Sequence, residues 1–201
     1  MSDVDQVLPP EPQGEEPTFH RCLKALHLTV ALASQAHTTW LTVGYFITRN
    51  DNRFPITGYL VRSSFLTMII ELYKVLDKRA DVFSLRLLLS LAAKEKIPID
   101  MATCDKMVAD MEPLWEKIKL LRHKAYAHLD SERTIASLLI ETGNNAEDFE
   151  SLLNLYEKCL THICKSIGVR FQPLAEADTL IKNELRTAIT AICEKAGYRY
   201  F

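Results

Sequence analysis

What this chain lacks narrows it first. Its six glycines are scattered, and none falls into a G-x-G-x-x-G or G-x-x-x-x-G-K-S/T pattern. A glycine-rich loop that cradles phosphates with backbone amides is therefore excluded. There is no H-E-x-x-H, no paired Glu-x-x-His set and no G-x-S-x-G, which removes the zincin, di-iron bundle and α/β-hydrolase chemistries. No cofactor and no metal is expected. The five cysteines (Cys22, Cys104, Cys159, Cys164 and Cys193) are odd in number and include no C-x-x-C, so they read as buried, reduced thiols of a cytoplasmic protein. No apolar run is long enough to span a bilayer, and no basic segment followed by an apolar one opens the chain. A soluble protein without a membrane partner is expected. Nor is there a basic excess: 24 Lys and Arg stand against 26 Asp and Glu, a formal charge of −2. Generic coating of nucleic acid is excluded, while a local basic patch stays open.

What is present is helical periodicity. With 48% hydrophobic and 25% charged residues over 201 positions, the chain can bury the core of one domain. Residues 1–17 carry Pro9, Pro10, Pro12 and Pro17 with five acids and few aliphatics. Such a stretch cannot offset its ordering entropy, and a flexible acidic tail is expected. Thr18 is placed to cap a first helix on which Phe19, Cys22, Leu26, Val30, Ala33, Trp40 and Leu41 recur at the helical period. His27 and His37 fall on or beside that face and read as core histidines. A second helix over residues 55–78 is apolar nearly all round, which predicts a central place, with Arg62 and Glu71 in need of partners. A third, capped by Asp81 or Ser84, ends at Lys94-Glu95-Lys96 ahead of Pro98. A fourth starts near Asp100, and Pro113 is expected to kink or divide it. Residues 131–140 are ambiguous between helix and strand. A fifth helix, capped by Asn144 or Asn145, carries Phe149, Leu152, Leu153, Tyr156, Leu160 and Ile163 before Gly168. A sixth follows Pro173, with Leu180, Ile181, Leu185 and Ile189 on its apolar face. The fold class is all-α: a bundle of about five to six helices. The bundle is assigned residues 18–170, and a helical extension packed on it residues 171–201.

The chemistry gathers at the end of the fourth helix. A wheel of 100° per residue puts Cys104, Val108, Met111, Trp115, Ile118, Leu121 and Ala125 on one stripe. Arg122 lies at one edge of that stripe and His128 at the other. An arginine and a histidine are poor core residues but suit a cleft or an interface that handles a phosphate. They stand about 9 Å apart along the axis and roughly 120° around it, awkward for one phosphate within one chain. Two copies related by a two-fold axis place both residue types around one cleft. Lys117, Lys119 and Lys124 make the local field positive. Spacing alone is weak: with 11 arginines and 6 histidines, such a pair arises about once by chance. Arg21 and His27 repeat it without polar neighbours, which is coincidence.

The run Leu121-Arg122-His123-Lys124-Ala125-Tyr126-Ala127-His128-Leu129-Asp130 carries more than spacing. An arginine, a polar residue (here His123) and a terminal histidine at the end of a bundle helix resemble the R-x4-6-H motif of the HEPN superfamily. Upstream, Glu71-Leu72-Tyr73-Lys74-Val75-Leu76-Asp77 closes an aromatic-rich helix, and Ser84-Leu85-x-x-Leu88-Leu89 follows. That order resembles the abortive-infection U-type (AbiU-like) branch. What the resemblance implies is a HEPN-like helical bundle acting as a metal-independent endoribonuclease, its site shared across a homodimer, in phage defence or as a toxin. RNA is then the partner, with an antitoxin or regulatory protein as a further one. His128 would exchange a proton with the RNA 2′-hydroxyl, which attacks its own phosphate. Arg122 would clamp that phosphate and offset the charge of the pentavalent species. His123 would orient the phosphate or share the proton transfer. Lys117, Lys119 and Lys124 are the expected RNA-binding residues, supported by Tyr126, Asp130 and Glu71.

A plainer account stays open beside it. Arg122 near a helix C-terminus also complements the helix dipole, His128 can cap that end or pair with Asp130, and lysines commonly form a solvated face. On that account the chain is a non-catalytic HEPN-like scaffold that binds RNA, a nucleotide or a partner protein.

Overall fold

The computed structural model describes residues 17–49, 55–79, 81–127, 134–171 and 174–195. They form seven helices and no strand: α1 (Phe19–Arg49), α2 (Pro55–Val75), α3 (Leu85–Lys94), α4 (Met101–Ala127), α5 (Ile135–Thr142), α6 (Ala146–Ser166) and α7 (Leu174–Lys195). The described residues thus build the all-α bundle that the periodicity predicts. The extra helix is α5, drawn from the ambiguous stretch. The expected tail, Pro17 apart, lies outside the described residues.

Local chemistry sets the helix ends. The Thr18 carbonyl accepts from the Cys22 amide at 2.9 Å, and its hydroxyl from the Arg21 amide at 3.3 Å. Ser84 Oγ accepts from the Leu87 amide, and Asp100 Oδ1 from the Thr103 amide. A reciprocal pair opens α6: Asn145 Oδ1 accepts from the Asp148 amide at 2.8 Å, and Asp148 Oδ2 from the Asn145 amide at 3.0 Å. Gly143 and Gly168, at φ 64° and 70°, close α5 and α6 in the left-handed region. Pro113 does not divide α4. Pro113 and Ala109, whose carbonyl loses its helical donor there, are both exposed. Water can take that carbonyl, so the helix continues.

The most extensive helix contact joins α1 to α2; α4 packs on α6 and α2, α5 on α4, and α3, α6 and α7 on α1. Where α1, α2 and α6 meet, the rings of Trp40, Phe65 and Phe149 lie 5.3, 5.7 and 6.2 Å apart, two of the three pairs edge to face. Tyr156 is fully buried, and its hydroxyl donates to the Leu72 carbonyl at 3.1 Å, fastening α6 to α2. Every position of the predicted α4 stripe from Cys104 to Ala125 is buried. His37 is buried beside Trp40 and Phe149, and His27 packs on Phe171 at 4.8 Å. Cys22, Cys104, Cys159 and Cys164 are buried free thiols. Burial pushes the Cys22 thiol up to about 12, against the weaker effect of its contact with the Ser84 carbonyl.

Two expectations need correction. Only the later part of α2 is central: Tyr59 and Leu60 near its start are exposed, and Arg62 sits in that outer part. In α7, Leu174 and Ile189 are buried against the bundle, while Leu180 on the predicted apolar face is exposed. Among the described residues, no helix is long and apolar enough to cross a membrane.

Candidate functional site

The end of α4 rests on the end of α2, and this junction holds the motif. Leu121 and Ala125 are buried and anchor the helix, which leaves Arg122 half-buried and His123 exposed. The Arg122 guanidinium carbon lies 4.3 Å from the centre of the Tyr73 ring on α2 and 5.5 Å from that of Tyr126, one turn further along α4. Tyr73 stacks in turn on Trp115, 5.4 Å away and inclined by 16°. The Trp115 indole N–H donates to the Tyr73 carbonyl at 2.8 Å. Lys119 Nζ stands 5.3 Å over Trp115. Cations and rings therefore line one ribbon, from Lys119 through the stacked pair Trp115 and Tyr73 to Arg122 and Tyr126. Trp115 is 2% exposed and Tyr126 49%, so from Trp115 the rings lead out of the core to solvent. A guanidinium over a ring face gains about 0.5–1 kcal/mol at an exposed site and more when desolvated. It keeps its planar fork of donors for an oxyanion.

Behind the arginine lies Asp77, just past the end of α2 and buried. Burial acts to raise its carboxyl, but hydrogen bonds and charge from Arg79, with the charge of Arg122 added, outweigh burial and hold it below the usual carboxylate range. Oδ2 accepts from Arg79 Nε and Nη2 at 3.0 and 2.8 Å, and Oδ1 from the Arg79 amide at 3.1 Å. Arg122 acts on this carboxylate through its charge. Among the described residues no carboxylate accepts a hydrogen bond from Arg122.

The lysines behave differently. Lys117 Nζ bonds both oxygens of Asp148 at 3.1 and 3.2 Å, and Lys119 Nζ those of Glu116 at 3.2 and 2.9 Å. Lys124 pairs with Glu141. The positive field expected from the sequence is thus offset locally, and Lys117 and Lys124 tie α4 to α6 and α5. Glu71 is buried and taken up by Lys74 at 2.6 Å within α2. His128 and Asp130 lie outside the described residues, which end on α4 at Ala127. Tyr73, Trp115 and Asp77 join the site, although sequence reasoning used them only for the family resemblance and the core stripe and gave them no role in it. A signal was there: Tyr73 and Asp77 stand four residues apart, one helical repeat, where the apolar run of α2 gives way to polar residues. Among the described residues, no three His, Cys, Asp or Glu side chains converge as metal ligands.

Residues 47–185 match the AbiU2 family of HEPN domains. No curated protein and no solved structure matches the chain. The family match takes in the Tyr73–Asp77 segment, all of α4 and the whole run from Arg122 to His128. It extends over more than half of the sequence, and its helices are those that bring Arg122 to the tyrosines. The chain belongs to the AbiU2 family of the HEPN superfamily.

Proposed function

We propose that this chain is a metal-independent endoribonuclease of HEPN type, cutting RNA at a site composed from two protomers, in a role connected with abortive infection. Arg122 is the observation that carries this reading. Of the four Lys and Arg side chains between positions 117 and 124, it alone has no carboxylate accepting from it among the described residues, and two rings hold it instead. Lysines whose charge is already offset are weak phosphate anchors. An arginine set between rings with its fork open is a strong one.

The chemistry asks for three acts. A base takes the 2′-hydroxyl proton, and the oxygen attacks the adjacent phosphorus. The bond from phosphorus to the 5′-oxygen breaks as an acid gives that oxygen a proton. The products are a 2′,3′-cyclic phosphate and a 5′-hydroxyl. His128 and His123 are the candidates for the two proton transfers, since an imidazole works in either direction near neutral pH. Arg122 offsets the charge that builds on the five-coordinate phosphorus. DNA, without a 2′-hydroxyl, is not cut by this route.

The test is incubation with a mixed RNA pool in EDTA, beside Arg122→Ala and His128→Ala prepared identically. Fragments ending in 2′,3′-cyclic phosphate are expected from the wild type, and a rate at least about a hundredfold lower from each variant. Equal cleavage by His128→Ala, or no cleavage by any of the three, would sink the nuclease reading. Absence of cleavage would leave the chain a scaffold, a role that the ion-paired lysines favour because they leave the motif face little excess charge.

A further inference from the structure

We infer that the cavity between the first half of α1 and the end of α6 is a binding site for an anionic amphiphile, a long aliphatic chain ended by a carboxylate. It stands apart from the motif, since none of its lining residues belongs to α2 or α4. The helical period of α1 makes most of the wall: His20, Lys24, His27 and Ala31 recur at intervals of four, three and four along one face. Ala25 and Ala31 leave space there that larger side chains would fill. Phe83 ahead of α3, Cys164 near the end of α6 and Val169 with Arg170 beyond it complete the enclosure. Its volume is about 740 Å³, within the range of small-molecule sites.

The chemistry of this lining changes with depth. Leu23 and Cys164 are buried, and burial pushes the Cys164 thiol up, so it enters the floor as a neutral group. Leu28 and Val169 border the cavity yet are 60% and 46% exposed, apolar surface that an aliphatic chain would cover. The cations stand further out: Lys24 and Arg170 are exposed and Arg21 is half-buried, its guanidinium carbon 6.0 Å from the centre of the Phe83 ring. Long basic side chains lay their stems on apolar surface and keep their charge in water. Among the described residues, neither Lys24 nor Arg170 is ion-paired. No Asp or Glu is among the lining residues, in a chain whose acids outnumber its Lys and Arg. Positive charge at the mouth and hydrocarbon below it call for an anionic head on an apolar tail. The same lining disfavours a nucleotide, because its side chains carry no oxygen atom to accept from base amino groups or sugar hydroxyls.

Isothermal titration calorimetry of the full chain with dodecanoate, kept below micelle formation, tests this beside dodecyltrimethylammonium and AMP. Circular dichroism and light scattering follow each sample. One dodecanoate is expected per chain, with helicity and oligomeric state unchanged and no binding of the other two compounds. Lys24→Gln combined with Arg170→Gln should weaken dodecanoate binding about fivefold, and Ala31→Phe, which fills the cavity, should abolish it. If Ala31→Phe does not fold, the double variant decides, since it alters exposed side chains alone. The site is overturned by absence of dodecanoate binding, by an affinity unchanged in the double variant, or by equal binding of dodecyltrimethylammonium. Uptake of several molecules per chain with loss of helix would be detergent action and would overturn it as well. Binding of AMP in place of dodecanoate would refute the aliphatic tail, and binding only as a dimer dissociates would give the cavity to a second copy of the chain.

Discussion

Asp77 holds the end of α2 in place behind Arg122. Its carboxylate is buried yet ionised, because the Arg79 fork and the nearby charge of Arg122 outweigh the cost of burial. A folded-state pKa below the unfolded one contributes stability that is present in full above the unfolded value and is lost as pH falls through the folded one. Asp77→Asn should therefore cost about 1–2 kcal/mol at neutral pH, the lower part of the range for charged hydrogen bonds because Arg79 is largely exposed. Urea denaturation of both proteins at neutral and at strongly acidic pH checks the sign. The gap should shrink as pH falls below the usual carboxylate range, and a gap that is constant across pH would refute the assignment. Arg122 and His123 were legible in the sequence as parts of a motif. The bracket of Tyr73 and Tyr126 was not, because which ring a guanidinium meets is settled by how α2 crosses α4, and local periodicity does not encode that crossing.

At the scale of the element, caps and stripes carried most of the fold. Thr18, Ser84 and Asn145 each stand where a cap was read, and Asp100 caps the helix that was expected to start near it, since a short polar side chain before an apolar run satisfies amides that the helix leaves open. The eight residues of α5 were not legible. They give little more than two turns, and with Leu138 and Thr142 buried while Ile140 is 81% exposed, the apolar residues do not trace one face. The helix is decided by its ends instead: Thr134 accepts from the Ser137 amide at 3.1 Å, and Gly143 takes the left-handed turn. Asn144 then ties the corner to α4, its amide donating to the Lys117 carbonyl at 3.3 Å and to the Thr142 hydroxyl at 2.8 Å. The exposed stretches of α2 and α7 were misjudged for the opposite reason, since an apolar side chain is no guarantee of a neighbour to bury it. The α6 cap offers a graded test. Asn145→Ala should cost about 1 kcal/mol. Asp148→Ala should cost at least as much, about 1–2 kcal/mol, because it removes both the reciprocal cap and the partner of Lys117. Thermal denaturation of both variants settles the order, and an Asp148→Ala protein clearly more stable than Asn145→Ala would contradict it.

The whole molecule raises the question of how many chains make one site. Around the motif, α4 leaves His123, Leu120 and Tyr126 exposed, a mixed polar and apolar surface next to an arginine whose donors find no carboxylate among the described residues. Six residues of helix rotate His128 away from Arg122 by roughly 120° if the helical path continues. On the composite-site proposal, a second copy on a two-fold axis would answer both problems, because each motif histidine would then approach the other chain's arginine. This has a consequence that no single-chain site shares. Arg122→Ala and His128→Ala, each inactive as a homodimer, can be co-expressed with different tags and isolated as a mixed dimer. If a site takes its arginine from one protomer and its histidine from the other, one of the two sites is whole, and the mixed dimer should show about half the wild-type rate. If each site lies within one protomer, one chain lacks its arginine and the other its histidine, and the mixed dimer should be as inactive as its parents. Recovery near half therefore assigns the site to the interface, and its absence assigns the chemistry to the single chain.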